Sequence, residues 1–136
     1  MSELDKLEKM VAEAKATANL DTLVNRGNAY ARSGDYEHAI EEYEAALRLA
    51  PNDTNTLCNR GLAYLKSGDA ERAIEDFEAV LRTEPNNITA LSRRGIAYFG
   101  SGEFDSAIAD FEAVLEIDPN NANVKNYLSM ALQKKE

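Results

Sequence analysis

Apolar residues recur at three- and four-residue steps along most of the chain, and short polar stretches interrupt them at regular intervals. In residues 54–87 a first apolar series runs from Leu57 to Leu65, and a second runs from Ala73 to Leu81. This spacing places the apolar side chains on one face of an α-helix. The segment therefore predicts two amphipathic helices, which are separated by the turn SGD and ended by EPNN.

The same pattern occurs three times with a period of 34 residues. Residues 54–87 and 88–121 are identical at 18 of 34 positions, and residues 20–53 share the same frame. The aligned positions are Gly27, Gly61 and Gly95; Tyr30, Tyr64 and Tyr98; Gly34, Gly68 and Gly102; Ala39, Ala73 and Ala107; and Pro51, Pro85 and Pro119. A period of this length is typical of stacked supersecondary units, of which about three are needed for a stable array.

Turn and capping residues mark the ends of the predicted helices. We expect Gly68 to end the first helix of its unit with a positive φ, and Asp69 to cap the second helix. Pro85 lacks a backbone donor and prevents the second helix from continuing. Each unit is therefore predicted to be a helical hairpin.

One glycine of each unit lies inside a predicted helix, where glycine costs about 1 kcal/mol relative to alanine. A residue with a side chain of one atom or none lets two helix axes approach closely. Gly61 and Ala73 therefore predict the crossing of the paired helices, with the rings of Tyr64 and Phe77 beside it. A single hairpin cannot bury such a stripe alone, so neighbouring hairpins are expected to stack.

The 34-residue unit resembles the tetratricopeptide repeat in four of its patterns: Gly-x-x-Tyr, Gly-Asp, Ala-x-x-x-Phe or Tyr, and Pro-Asn. Two positions depart from the family pattern: the usual leucine is replaced by Arg26, Arg60 and Arg94, and the frequent tryptophan by Leu23, Leu57 and Leu91. The resemblance implies an all-α fold, a right-handed superhelical solenoid of antiparallel helix pairs with about eight helices. It divides the chain into an N-terminal amphipathic helix (1–19), three repeats (20–53, 54–87 and 88–121) and a C-terminal capping helix (122–136).

The two flanks predict further helices. In the C-terminal flank, the residues expected to face the last hairpin are Tyr127 or Leu128, Ala131 and Leu132. In residues 2–18 the apolar face consists of Leu4, Leu7, Met10, Val11, Ala14 and Ala18. Three roles are open for this N-terminal helix: a cap over the first hairpin, a dimerisation surface, or a segment that lies in the groove of its own or another chain. An N-cap at Asn19 or Asp21 favours a break before the first repeat, and one long helix is the alternative.

The composition predicts a soluble helical chain, with 136 residues, 44% hydrophobic and 29% charged. The first residues are charged, unlike a signal peptide, and no apolar run approaches the roughly 20 residues of a membrane span. We therefore expect a cytoplasmic protein that does not bind membranes. The net charge of −9 argues against nucleic acid as a partner.

The sequence has no pattern of residues that points to catalysis. It contains one histidine, His38, and one cysteine, Cys58, and it has no phosphate-binding loop or metal-ligand spacing. No base is identifiable near Cys58 that would make it a nucleophile. We predict a non-enzyme without cofactor or metal, in which His38 is solvated and Cys58 is a packing residue.

Charge is distributed unevenly over the two helices of each unit. The segments that contain the predicted first helices carry a net charge of +5: residues 20–33, 54–67 and 88–101. The segments that contain the turns and second helices carry a net charge of −15: residues 34–53, 68–87 and 102–121. In the tetratricopeptide repeat family the first helices line the concave face, so the resemblance implies a neutral-to-basic groove inside an acidic shell. Such a groove would attract an acidic or carboxylate-ended peptide. The alternative is that the acidic residues only solubilise the convex face.

Some members of the family hold a C-terminal carboxylate with two lysines, two asparagines and an arginine. This chain has Asn28, Asn59 and Arg93 at three of these positions, and Val24 and Thr89 at the lysine positions. The missing lysines remove two charge-assisted hydrogen bonds, each worth about 1.5 to 3 kcal/mol. The resemblance therefore favours a groove without the complete carboxylate clamp.

The predicted binding groove contains Val24, Asn28, Arg32, Asn59, Leu62, Leu65, Lys66, Arg93, Ile96 and Phe99. For its apolar members, packing between helices is the alternative to an exposed partner site. We predict a protein–protein interaction scaffold that binds a partner peptide or helix in this groove. The alternatives are a homo-oligomer assembled through the terminal helices and the groove, and an engineered consensus-like scaffold without a natural ligand.

Overall fold

A computed structural model of the chain describes residues 2–16 and 19–136, and for residues 10–16 it describes the backbone only. This part of the chain forms eight helices and no strand, which confirms the predicted all-α class. The helices are α1 (Glu3–Ala16), α2 (Leu20–Arg32), α3 (Tyr36–Leu49), α4 (Thr54–Lys66), α5 (Ala70–Thr83), α6 (Ile88–Gly100), α7 (Phe104–Ile117) and α8 (Ala122–Lys135).

Each hairpin turns at a glycine in the left-handed region. Gly34, Gly68 and Gly102 have φ values of 84°, 94° and 78°, a conformation that costs glycine little because it has no Cβ. The carboxylate of Asp69 accepts a hydrogen bond from the backbone N–H of Arg72 at 3.1 Å and so caps α5. The predicted roles of Gly68 and Asp69 are therefore confirmed.

The interior glycine of each unit lies against an aromatic ring of the paired helix. A Cβ atom built on Gly61 would lie 2.6 Å from Cε1 of Phe77, closer than real Cβ contacts allow. Ala73 and Phe77 are both fully buried at this crossing. The predicted close crossing of α4 and α5 is confirmed, and the two other hairpins repeat it with Gly27 against Tyr43 and Gly95 against Phe111.

The helices form two layers that differ in how their members touch. Each second helix packs on both the first helix before it and the first helix after it. The first helices also contact one another, α2 with α4, α4 with α6 and α6 with α8. Within residues 19–136 no such contact joins α3, α5 and α7. The layer whose helices lie closer together is the inner side of a curved array, so the first helices line its concave face.

The helix α8 covers the last hairpin, but not with all the residues expected. Val124 and Ala131 are buried, and the Tyr127 ring stacks on Phe111 with 5.7 Å between ring centroids. Leu132, which was expected to face the hairpin, is 47% exposed. Successive residues on a helix are about 100° apart, so a stripe centred on residues 124, 127, 128 and 131 leaves position 132 at its edge.

The N-terminal helix α1 is separate from α2. Asn19 has an extended backbone and its side chain accepts a hydrogen bond from the N–H of Thr22 at 2.9 Å, which confirms the predicted N-cap at this residue. Leu4 and Leu7 of α1 are 64% and 57% exposed. The other residues of its predicted apolar face lie outside the described side chains: Met10, Val11, Ala14 and Ala18.

Candidate functional site

A cavity of about 290 Å³ lies on the first-helix layer, where α2, α4 and the first half of α3 meet. We call it the groove pocket. Five residues of the predicted groove line it: Asn28, Arg32, Asn59, Leu62 and Lys66. The other four lining residues were not predicted: Ala31, Tyr36, Tyr43 and Ala63. The pocket thus combines cationic, amide and hydroxyl groups with a few apolar contacts.

The floor of the groove pocket is a hydrogen-bonded set from three helices. Oδ1 of Asn28 accepts hydrogen bonds from the Tyr43 hydroxyl at 2.5 Å and from Nδ2 of Asn59 at 3.3 Å. Burial raises the pKa of Tyr43, an effect that nearby arginines partly oppose, so the hydroxyl remains a donor at neutral pH. The amide groups of Asn28 and Asn59 keep further donor and acceptor capacity on the open side of the floor.

Two cations stand at the rim of the groove pocket. Arg32 lies in the last turn of α2 and Lys66 in the last turn of α4, at equivalent repeat positions. Both side chains are exposed, and neither forms an ion pair with any residue that the structure describes. Their charges are therefore available to an anionic ligand, while they also stabilise the helix ends on which they lie.

The remaining predicted groove residues do not line the pocket. Val24, Leu65, Ile96 and Phe99 are half-buried and pack against the hydrophobic core clusters of their hairpins. Arg93 is half-buried and donates from Nη1 to the backbone carbonyl of Cys58 at 3.1 Å. Its charge partly opposes the rise in the pKa of Tyr43 that burial causes.

Three basic residues of the first helices are paired within their own hairpins. Each arginine bonds to a carboxylate of the second helix 16 residues later, at 2.7 to 2.8 Å: Arg26 with Glu42, Arg60 with Asp76, and Arg94 with Asp110. These hydrogen bonds raise the pKa of Arg60 and of Arg94. Half of the basic residues counted toward a basic groove are thus neutralised, so part of the charge asymmetry stabilises the hairpins.

The described residues include no built reactive centre. His38 is exposed, and its Nδ1 lies 2.7 Å from Oδ2 of Asp35, which raises the pKa of the imidazole. Cys58 is buried, and burial raises the pKa of its thiol, which disfavours the reactive thiolate. Among the described residues no group of His, Cys, Asp and Glu has a metal-binding arrangement, and no helix is long and apolar enough to cross a membrane.

Sequence reasoning predicted Asn28 and Asn59 in the groove but missed the Tyr43 hydroxyl that bonds to Asn28, although the repeats carry a signal for it. Asn28 and Tyr43 of the first repeat occupy the positions of Leu62 and Phe77 in the second. The third repeat has Ile96 and Phe111 there. The buried ring is a tyrosine only in the first repeat, where the residue next to it is an asparagine. This joint change is expected for two side chains that form a hydrogen bond with each other.

Comparisons with known proteins agree with this arrangement. A TPR repeat model matches residues 27–68, and a Tetratricopeptide repeat model matches residues 58–122. The first TPR of Spaghetti (RPAP3), bound to HSP90 peptide SRMEEVD, is 30% identical, with a TM-score of 0.81 over 85% of this chain and 91% of that chain. The chain belongs to the tetratricopeptide repeat family. A search of curated proteins found no match.

Two other tetratricopeptide repeat domains show similar likeness. The Sgt2 TPR domain from Aspergillus fumigatus is 33% identical, with a TM-score of 0.79 over 85% of this chain and 78% of that chain. The second TPR domain of human RPAP3, in complex with HSP70 peptide SGPTIEEVD, is 30% identical, with a TM-score of 0.76 over 83% of this chain and 98% of that chain. Tetratricopeptide repeat domains are generally non-catalytic interaction modules, and two of these three are bound to peptides.

Proposed function

We propose that this protein is an interaction scaffold that binds an extended acidic peptide of a partner protein on its first-helix layer. The observation that carries the proposal is the groove pocket, where two cations that form no ion pair with any described residue adjoin an amide and hydroxyl floor. The acidic peptides bound to the RPAP3 domains support the ligand class, since both end in EEVD. The acidic residues of the second helices favour binding at the same site, because they repel an anionic ligand from the second-helix layer.

The chemistry of the groove pocket matches both parts of such a ligand. Carboxylates of the peptide would accept hydrogen bonds from Arg32 and Lys66 at the rim. The spare donors and acceptors of Asn28 and Asn59 suit a peptide group, which itself has one donor and one acceptor. Leu62 adds apolar contact next to these amides. Recognition of nucleic-acid bases, or catalysis, would need side chains other than those that line the groove pocket.

The rim cations are expected to control affinity for an acidic peptide. The peptide SRMEEVD should bind in the range of tens of micromolar or weaker, and Arg32→Ala/Lys66→Ala should weaken it roughly three- to tenfold, since exposed charge pairs contribute about 0.2 to 1 kcal/mol each. Binding should also weaken as salt rises toward about 0.5 M. Isothermal titration calorimetry measures both effects.

The matched control for the rim variant removes two exposed arginines from second helices, Arg48→Ala/Arg82→Ala, and should leave the affinity unchanged. Equal weakening by both double variants would indicate only a general field effect. The absence of any binding of the acidic peptide up to millimolar concentration would overturn the proposed ligand class.

Restoring the two absent lysines should create a preference for a free carboxylate. Thr89 is exposed at the start of α6, and Val24 is half-buried on α2, where a lysine stem can cover apolar surface. Val24→Lys/Thr89→Lys should tighten SRMEEVD at least tenfold, about 1.4 kcal/mol. Amidation of the peptide C-terminus should abolish this gain, as measured by calorimetry.

A double-lysine variant without carboxylate preference would show that the groove does not present these positions together. In that case the apolar residues Leu62, Leu65 and Phe99 become the better candidates for the partner site. The unmodified chain with amidated peptide is the reference, because it isolates the contribution of the terminal carboxylate.

A further inference from the structure

The groove pocket has an equivalent position one repeat later, and the two positions differ in chemistry. Four polar residues that line the pocket have apolar or small counterparts 34 residues later: Asn28 and Leu62, Tyr36 and Ala70, Tyr43 and Phe77, and Lys66 and Gly100. Because the same helical frame accepts apolar residues in the next repeat, hairpin packing does not require these polar groups. A few placed polar groups in a cavity are typical of a ligand site.

The lining of the groove pocket is rich in hydrogen-bond donors. Arg32 brings a planar fork of N–H groups and Lys66 an ammonium group, and neither side chain can accept a hydrogen bond. Tyr36 adds a phenol hydroxyl. None of the described residues that line the pocket is acidic, although the chain has 24 acidic residues. A ligand that matches this lining is therefore anionic and rich in acceptor oxygens.

The acidic residue that precedes Tyr36 is engaged outside the pocket. Oδ1 of Asp35 accepts a hydrogen bond from the backbone N–H of His38 at 3.2 Å, and Oδ2 lies 2.7 Å from Nδ1 of the same residue. This carboxylate therefore caps α3 and pairs with the imidazole. Among the described residues, none forms an ion pair with Arg32 or Lys66, so both rim charges remain for a ligand.

A phosphorylated side chain matches this lining better than a carboxylate does. A carboxylate carries one negative charge, so it would leave one of the two rim charges without a counterpart. A phosphomonoester carries about −1.5 to −2 charges at pH 7 and has three strong acceptor oxygens. These oxygens can accept charge-assisted hydrogen bonds from Arg32 and Lys66, and a further hydrogen bond from Tyr36. The cavity of about 290 Å³ is larger than a phosphate group.

We infer that the groove pocket receives a phosphorylated serine or threonine of the acidic partner peptide, an inference that rests on the function proposed above. Arg32 of α2 and Lys66 of α4 hold the phosphate oxygens, and the Tyr36 hydroxyl of α3 donates to one of them. The amides of Asn28 and Asn59 bind the adjacent peptide group. Phosphorylation of the partner then switches binding on, because it creates the group that the pocket recognises.

Calorimetric titration of the full chain with four peptides tests this inference. The peptides are SRMEEVD, two versions with phosphoserine in place of its first or its second glutamate, and SRMEEEVD, which adds a negative charge without a phosphate. One of the phosphopeptides should bind at least about tenfold more tightly than SRMEEVD, because it adds charge-assisted hydrogen bonds. The extra glutamate of SRMEEEVD should change the affinity less than about threefold. Phosphopeptides that bind no more tightly than SRMEEEVD would overturn the inference.

Removal of one hydroxyl tests whether the phosphate lies in the groove pocket. Tyr36→Phe should weaken the tighter phosphopeptide about three- to tenfold and leave the affinity for SRMEEVD nearly unchanged, since only the phosphate has an oxygen left for this donor. The matched control is Tyr98→Phe on α6, because Tyr98 does not line the pocket. Equal effects of the two variants on the phosphopeptide would place the phosphate elsewhere. Arg32→Ala/Lys66→Ala should abolish the advantage of the phosphopeptide over SRMEEVD.

The same titrations separate this inference from the proposed function. Binding of SRMEEVD without a gain from phosphoserine would overturn the inference and leave the proposed function standing. Binding of a phosphopeptide alone would support the inference and narrow the proposed ligand class to phosphorylated peptides, whereas the absence of binding by all four peptides would overturn both. Inorganic phosphate is a further probe: if it binds as tightly as the phosphopeptide, the pocket is a site for the free ion and the inference is wrong.

Discussion

Phe77→Ala is expected to lower the free energy of unfolding by about 3 to 5 kcal/mol, because truncation of a buried phenylalanine leaves a cavity that its neighbours fill only partly. The ring is fully buried, and it fills the space that Gly61 leaves open at the crossing of α4 and α5. Its core cluster also includes Leu47 of α3 and Ala90 of α6. The cavity would therefore weaken the contacts to both neighbouring units, on which the stability of a repeat array depends.

Chemical denaturation measures this effect, with Glu75→Ala as the control. Glu75 lies on the same helix two residues earlier, but its side chain is exposed, so its removal should change the free energy by less than about 0.5 kcal/mol. Tyr64→Ala should lower the free energy of unfolding by an amount similar to Phe77→Ala, since the Tyr64 ring lies in the same hairpin and is only 9% exposed. A larger loss for Glu75→Ala than for Phe77→Ala would show that Phe77 does not lie in the core of this hairpin.

Asp76→Ala should lower the free energy of unfolding by about 2 to 3 kcal/mol. Breaking a buried ion pair leaves an uncompensated charge, which costs about 3 to 5 kcal/mol in fully buried cases, and the partial exposure of Arg60 reduces the effect. Burial raises the pKa of the Asp76 carboxyl, and the hydrogen bonds from Arg60 oppose this rise.

Burial differs between repeats, and this difference supplies the control for Asp76→Ala. Glu42→Ala removes the same kind of partner from Arg26, whose side chain is 49% exposed, and should cost less than about 1 kcal/mol. The double variant Arg60→Met/Asp76→Leu should recover most of the loss, because apolar side chains of similar volume often replace a buried pair without cost. Equal losses at Asp76 and Glu42 in denaturation experiments would show that burial does not govern these pairs.

These ion pairs also bear on the proposed function. Arg26, Arg60 and Arg94 lie on the first helices, yet their charges are directed to carboxylates of the same hairpins. The first-helix cations outside these three pairs are Arg32 and Lys66 at the rim of the groove pocket and Arg93, which donates to the backbone carbonyl of Cys58. Binding of an acidic peptide is therefore expected to depend on few positions, and substitutions of the paired arginines should affect mainly stability.

The sequence by itself determined the helices, their ends and the crossing within each hairpin. These features depend on residues close together in the chain: a positive φ at Gly68, a side-chain cap at Asp69 and the 34-residue period. The crossing could be predicted because only a residue without Cβ, Gly61, lets the Phe77 ring lie so close to the helix backbone. These local features are repeated in every unit, so they can be predicted from the sequence without a structure.

Only the tertiary structure decided which residues meet in one site. Five predicted groove residues line the groove pocket, whereas Val24 and Leu65 pack against the core, because α2 packs on α3 and α4 packs on both α3 and α5. Net charge could not distinguish Arg60, which a carboxylate 16 residues away neutralises, from Lys66 at the rim. Such distinctions depend on the angle at which helices cross and stack, and residue spacing within a single helix does not specify that angle.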